Sequence, residues 1–271
     1  MVTQEQRKRQ LAREKFLRQQ QRRTALRRKA RARNAVIASV LGVVLVGSLA
    51  LYTTGVLKDD DKANASSEAS PSASPSAVKD PCEKPAEGAV KTQTWKKEPA
   101  ITIDKSAKYT MKLATTCGDI DVALKTSAAP HTVNSFNFLA GKGYFDHTKC
   151  HRLTTNGIFV LQCGDPTGSG SGGPGYTIPD ENLKDTSLKA NVYPAGTVAM
   201  ANTSQPDSGG SQFFLVYEDS QLPPSYTPFG TVSEAGMAVL KKIAAAGENT
   251  GAGDGAPNAT VVIDKATVTK S

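Results

Sequence analysis

The chain has 271 residues, four cysteines, three histidines and a formal net charge of +8. That charge is not spread evenly: residues 1–34 hold thirteen Lys/Arg against two acids, residues 35–57 hold none, and the rest is nearly neutral with twenty Lys/Arg against twenty-three acids. The basic excess belongs to a short tail, which excludes a basic nucleic-acid face as the basis of the folded part, and the length allows one or two domains.

The tail (1–34) could neutralise phosphates. It stands directly before an apolar run, however, and positive charge beside such a run is retained on the cytoplasmic side. We expect no nucleic-acid partner. The run AVIASVLGVVLVGSLALYTTGVL (35–57) is twenty-three residues long. As a helix it would extend about 35 Å, enough for a ~30 Å hydrocarbon core. A cleaved signal peptide is the competing reading, but Ser48-Leu49-Ala50 is a poor cleavage site inside the run. The expectation is a single-pass anchor, with the N-terminus cytoplasmic and everything after it outside. Residues 58–98 are acidic and then Ser/Ala/Pro-rich, which predicts a flexible linker. Residues 99–271 remain for one sizeable core.

Within that part, YTMKLATT (109–116) and DIDVAL (119–124) alternate in polarity about a Cys117-Gly118 turn and predict a hairpin. PHTVNSFNFLAGKG (130–143) predicts a helix, with Pro130 in its first turn and Val133, Phe136 and Leu139 on one face. Short strands are expected at 149–154, 158–164, 197–202, 211–217, 228–232 and 259–268, with a second helix over Glu234–Ala246. Many short strands with two helices predict a mainly β barrel or sandwich.

Three segments carry more than pattern. They are CHRLTTNGIFVLQCGDPTGSGSGGPGY (150–176), GTVAMANT (196–203), and GGSQFFLVY (209–217) followed by FGTV (229–232). In this order and spacing, with the helix 130–143, they resemble the cyclophilin-type peptidyl-prolyl cis/trans isomerases over essentially all of 105–265. The resemblance implies a closed eight-stranded antiparallel barrel capped by two helices, with an active groove on its outer surface. It implies an isomerase of X–Pro bonds that assists the folding of exported proteins, with no cofactor and no metal. High usage of Ala, Gly, Arg, Thr and Ser suggests an actinobacterial source.

Carried over residue by residue, Arg152 matches the catalytic arginine. Phe159, Val160, Phe214 and Leu222 match the proline pocket; Gln162 and Asn202 match groups that hydrogen-bond the substrate backbone. Ala201, Thr203 and Gln212 line the same groove, Gly170 its edge, and Tyr226 stands where many eukaryotic members carry His. Val160 replaces the usual Met, and Gln221 replaces a Trp important for cyclosporin, so weak or no cyclosporin binding is expected. The segment between Arg152 and Phe159 is about two residues longer than usual in the family. The implied partners are proline-containing polypeptides at the cell surface, and the protein is expected to be a monomer.

Two alternatives come from other classes. The domain could hold proline peptides without catalysis. Alternatively, Asp207-Ser208-Gly209-Gly210-Ser211 resembles a serine-protease stretch, which would make Ser208 a nucleophile served by His131, His147 or His151; a turn explains that stretch equally well. Gly168-x-Gly170-x-x-Gly173 satisfies a dinucleotide fingerprint, but Pro174 and Pro179 follow where a helix is required. Finally, Cys150 and Cys163 fall on the two arms of one predicted hairpin, which pairs them and leaves Cys82 for Cys117; four free buried thiols are the alternative.

Overall fold

The computed structural model describes residues 80–271. The expected tail (1–34), membrane run (35–57) and first part of the linker (58–79) lie outside the described residues. Among the described residues no helix is long and apolar enough to cross a membrane.

The hairpin expected first is present. β1 (Tyr109–Thr115) and β2 (Gly118–Leu124) pair in antiparallel register, Met111 opposite Val122 and Leu113 opposite Ile120. Alternation sends these four side chains to one face, where all are buried. α1 (Pro130–Gly141) follows, with proline in its first turn. Its first N–H groups are satisfied from a distance: the Glu181 carboxylate accepts from His131 N (3.0 Å) and Thr132 N (2.9 Å), as the positive end of a helix favours. Val133, Phe136 and Leu139 are fully buried, and the Phe136 ring packs against Phe145, Phe213 and Phe229.

The chain continues through β3 (Thr148–Lys149), β4 (Arg152–Thr154), β5 (Val160–Cys163), β6 (Val192–Tyr193), β7 (Thr197–Met200), β8 (Phe213–Val216), β9 (Ser220–Gln221) and β10 (Pro228–Val232). Then come α2 (Glu234–Ala245), β11 (Asp254–Gly255) and β12 (Val262–Lys270). Ser233 caps α2 by accepting from Gly236 N, and Leu240 and Ile243 bury its inner face. Ten strands form one curled antiparallel sheet, in the order β11-β4-β5-β8-β7-β10-β2-β1-β12-β3, and β6 pairs with β9 beside it. The architecture is mainly β with two helices.

All four residues of β8 are buried, although a strand has two faces. Phe213 and Leu215 enter the main core, whereas Phe214 and Val216 join a second cluster with Val160, Tyr193 and Ala199. That second cluster lies on the other face of the sheet, and it floors the site described below.

Both disulfides pair as the hairpin reading expects, Cys82–Cys117 and Cys150–Cys163. Of the expected linker, the structure describes residues 80–98. Residues 80–98 have no regular secondary structure but lie on the domain as a strap. Glu83 N donates to Thr116 O (2.8 Å), Ala86 N to Asp264 Oδ1 (3.0 Å) and Trp95 N to Pro174 O (2.8 Å). Trp95 packs against Phe138 and Tyr144. Composition hid this because one Trp, one disulfide and backbone hydrogen bonds hold the strap, while most of its side chains remain exposed.

Candidate active site

The register of the sheet assembles the site. Arg152 of β4 stands opposite Gln162 of β5, Gln162 opposite Phe214 of β8, and Phe214 opposite Ala199 of β7. Directly opposed residues share a face, so Arg152, Gln162, Phe214 and Ala199 form one row across four strands. By alternation Val160, two residues from Gln162, lies on the same face.

The row borders a cavity of about 180 Å³. Val160, Phe214, Leu222 and Tyr226 give it apolar walls, Arg152 and Gln162 a polar one, and Ala201 and Asn202 its rim. Phe214 and Tyr226 meet edge to face with centroids 5.4 Å apart. Tyr193, fully buried, donates its hydroxyl to Tyr226 O (2.8 Å) and accepts from Tyr226 N (3.2 Å), which fixes that wall. A larger trough of about 850 Å³ adjoins it and shares Gln162, Ala201 and Asn202. Gly170, Thr203 and Gln212 line this trough. Ten of the eleven expected substrate-binding residues, and the expected catalytic Arg152, therefore line the two joined hollows.

Phe159 is the exception. It lines neither hollow; it packs against the main core, edge to face with Tyr217 at 5.9 Å. Ile158 lines the smaller cavity instead. The parity of the strand explains this, since Phe159 is one residue from Val160 and must take the opposite face. The same alternation assigns Phe213 to the core and would have flagged Ile158. Tyr193 gives no such signal in the sequence, because its role depends on β6 pairing with β9.

The polar side is a directed chain. Arginine can only donate. Arg152 donates Nη1 to Gln162 Oε1 (3.1 Å), which turns the Gln162 amide so that its Nε2 donates to Gln212 Oε1 (2.9 Å). Gln212 Nε2 in turn donates to Gly172 O (2.9 Å). Arg152 thus orients two side-chain amides and ties them to the glycine-rich loop. Asp165, fully buried, holds that loop from beneath by accepting from Thr167 N (2.7 Å) and Gly172 N (3.1 Å). Gly170 within it has φ +79°, a conformation open mainly to glycine. The Asn202 side chain donates to Ser225 O (2.7 Å) and accepts from Ser204 N (3.0 Å).

Arg152 is also gripped from its other side. Its Nε donates to Asp254 Oδ1 (2.7 Å) and Nη2 to Asp254 Oδ2 (2.8 Å). The hydrogen bonds to Asp254 raise the guanidinium above its ordinary pKa and, reciprocally, hold the Asp254 carboxyl below the usual range. Asp254 gives no signal in the sequence, lying in the run GENTGAGDGAPNA. Burial lowers the pKa of the neighbouring His151.

The hydrolase alternative finds no geometry. Ser208 donates to Gln205 O (2.7 Å) and accepts from Thr203 N (3.1 Å), as a turn residue does. Among the described hydrogen bonds none joins Ser208 to a histidine; His131 Nδ1 pairs with Glu98 Oε1 (2.7 Å).

The class these features define is a curled antiparallel β domain with one fixed arginine at the mouth of an apolar pocket on its outer face. Residues 110–268 match the family model for "Cyclophilin type peptidyl-prolyl cis-trans isomerase/CLD", and the chain belongs to that family. It is 51% identical over 166 residues to a probable peptidyl-prolyl cis-trans isomerase B of Mycobacterium leprae, covering 58% of this chain and 56% of that one. It is 42% identical over 115 residues to a peptidyl-prolyl cis-trans isomerase B of Bacillus subtilis, covering 42% and 76%. The chain spans about half the length of the mycobacterial relatives it matches. A crystal structure of a Cryptosporidium parvum cyclophilin type isomerase, determined in the presence of the dipeptide Ala-Pro, superposes with a TM-score of 0.50. That pair shares 27% identity, over 60% of this chain and 99% of that one.

Proposed function

We propose that this protein is a peptidyl-prolyl cis/trans isomerase that accelerates X–Pro rotation in exported polypeptides. The observation that carries the reading is a guanidinium fixed on one row of the sheet with Gln162 and Phe214, at the mouth of an apolar pocket. Rotation about an X–Pro bond costs about 18–20 kcal/mol because amide resonance is lost. A catalyst needs only to bind the twisted amide better than either planar form. In the twisted form the prolyl nitrogen carries a lone pair, and Arg152 is the donor for it. Val160, Phe214 and Leu222 hold the ring while the acyl side turns. The trough through Ala201, Asn202 and Gln212 receives the chain on either side of the proline.

Our reading of the wider architecture rests on the same observations. β3 and β4 are separated only by Cys150 and His151, and they pair with β12 and β5 respectively. That continuity supports a sheet closed into an eight-stranded barrel. The uncharged run 35–57 after a thirteen-cation tail supports a single-pass anchor with the domain outside the cell membrane, and two disulfides suit that side. Gln221, exposed on β9 beside the pocket-lining Leu222, and Tyr226 in the pocket wall support weak or absent cyclosporin binding.

The test is exchange of an Ala-Pro peptide, measured by NMR with the full-length chain in detergent. Wild type should exchange rapidly, and Arg152→Ala should lose about 10- to 150-fold, the worth of one charge-assisted hydrogen bond. A folded wild type with no exchange above background would overturn the enzyme reading and leave a holding module.

A further inference from the structure

We propose that Asp254 is a positioning residue for the reaction, a carboxylate that holds the Arg152 guanidinium in its donating orientation from outside the pocket. The proposal rests on the isomerase reading above and adds to it a residue that does not line either hollow.

The geometry is specific. A guanidinium has five N–H groups. Asp254 takes Nε and one hydrogen of Nη2 side-on, and Gln162 takes one hydrogen of Nη1. One N–H on Nη1 and one on Nη2 remain, and these are the donors a twisted amide can use. Without the carboxylate, the arginine keeps a single anchor, Gln162, and regains most of its rotamer freedom.

The fold places Asp254 deliberately. β11 is only two residues long, yet it adds to the edge of β4, with Asp254 opposite Thr154 and Gly255 opposite Leu153. Asp254 is therefore the diagonal neighbour of Arg152 on one face, within reach of a long side chain. The preceding loop is rigidly tied. Glu248 accepts from Thr250 N (2.6 Å) and Gly253 N (2.9 Å), and Asn249 N donates to Ala256 O (2.9 Å). Gly253 has φ +87°, and its missing Cβ would lie 2.5 Å from that of Asn156, so only glycine lets the loop approach β4 this closely.

Stability does not explain the pair. The side chains are 38% and 55% exposed, and ion pairs at that exposure contribute little to folding. A bidentate grip contributes orientation instead.

The experiment compares the full-length wild type with Asp254→Ala, Asp254→Asn, Asp254→Glu, Arg152→Ala and the double variant Arg152→Ala/Asp254→Ala. Asp254→Ala should lower kcat/KM roughly five- to thirtyfold, mostly through kcat, the upper limit being set by arginine's rotamer freedom. Asp254→Glu, which keeps the carboxylate, should retain more activity than Asp254→Asn, which keeps the shape. The double variant should be no slower than Arg152→Ala alone, because Asp254 acts through that side chain. Melting temperatures of the Asp254 variants should stay within about 3 °C of wild type. An independent readout is the Arg152 Nε–H resonance, protected in wild type and lost in Asp254→Ala. Asp254→Ala within twofold of wild type, losses that multiply in the double variant, or an Nε–H unchanged by the substitution would each overturn the proposal. Absent exchange in wild type with the Nε–H still protected would overturn the isomerase reading and, with it, the catalytic role of the clamp.

Discussion

Asp165 is fully buried, yet it is an anion. Burial pushes its carboxyl up, but donation from Gly172 N, the Thr167 hydroxyl and Thr167 N outweighs this and lowers it to about 2 from 3.8. Its folded pKa is therefore below its unfolded one. The stabilisation is complete above the unfolded value near pH 4 and is lost as pH falls toward 2. At about 1.4 kcal/mol per pH unit the difference amounts to roughly 2 kcal/mol. We expect Asp165→Asn to lower unfolding free energy at neutral pH and to flatten the loss between pH 4 and 2, relative to wild type. Urea denaturation at a series of pH values measures it, and an acid limb as steep as wild type would clear Asp165 of this role. At the same scale, side-chain identity was mostly readable from the motif, and orientation was readable only where strand parity was applied. Parity applied to Phe213 and Phe214 separates core from pocket; applied to Phe159 it would have yielded Ile158.

Elements carry the site by stapling. Cys150 precedes Arg152 by two residues and Cys163 directly follows Gln162, so one disulfide ties the two strands that hold the polar end of the groove. For thirteen residues of separation, the chain-entropy model gives about 3 kcal/mol. β5 is also held by β8, and β3 by β12, so the register of Arg152 does not depend on the disulfide alone. The expected outcome for Cys150→Ala/Cys163→Ala is a loss of about 3 kcal/mol in denaturant, with exchange activity within a few-fold of wild type where the variant is folded. A loss of activity exceeding tenfold in folded protein would mean that the disulfide itself sets the geometry. The longer elements were legible because their apolar residues repeat at two or at three and four. β11 was not, because two residues in a glycine-rich run have no period, and their strand character comes from pairing with β4.

The strap decides how the whole chain enters the domain. Composition marks 58–98 as a spacer, yet from Asp80 onward the chain is fastened: Asp80 accepts from Thr260 N, and Cys82 is bonded to Cys117 at the turn between β1 and β2. Farther along, Trp95 backs the loop at Pro174 and Gly175 that walls the larger trough. From Asp80 to residue 98 the chain is therefore part of the folded domain. The strap exposes Lys91, Lys96 and Lys97. Trypsin cuts only where a segment can leave the surface, and here the disulfide limits that opening. Cys82→Ser/Cys117→Ser removes a constraint of separation 35, worth about 4 kcal/mol in the chain-entropy model. We expect trypsin under native conditions to cleave this variant within the strap many times faster than wild type. Reductant, which also opens Cys150–Cys163, should bring wild type and variant to one common rate. Equal rates without reductant would mean that Trp95 and the backbone hydrogen bonds hold the strap by themselves, and the disulfide would then matter to stability rather than to how the strap is held.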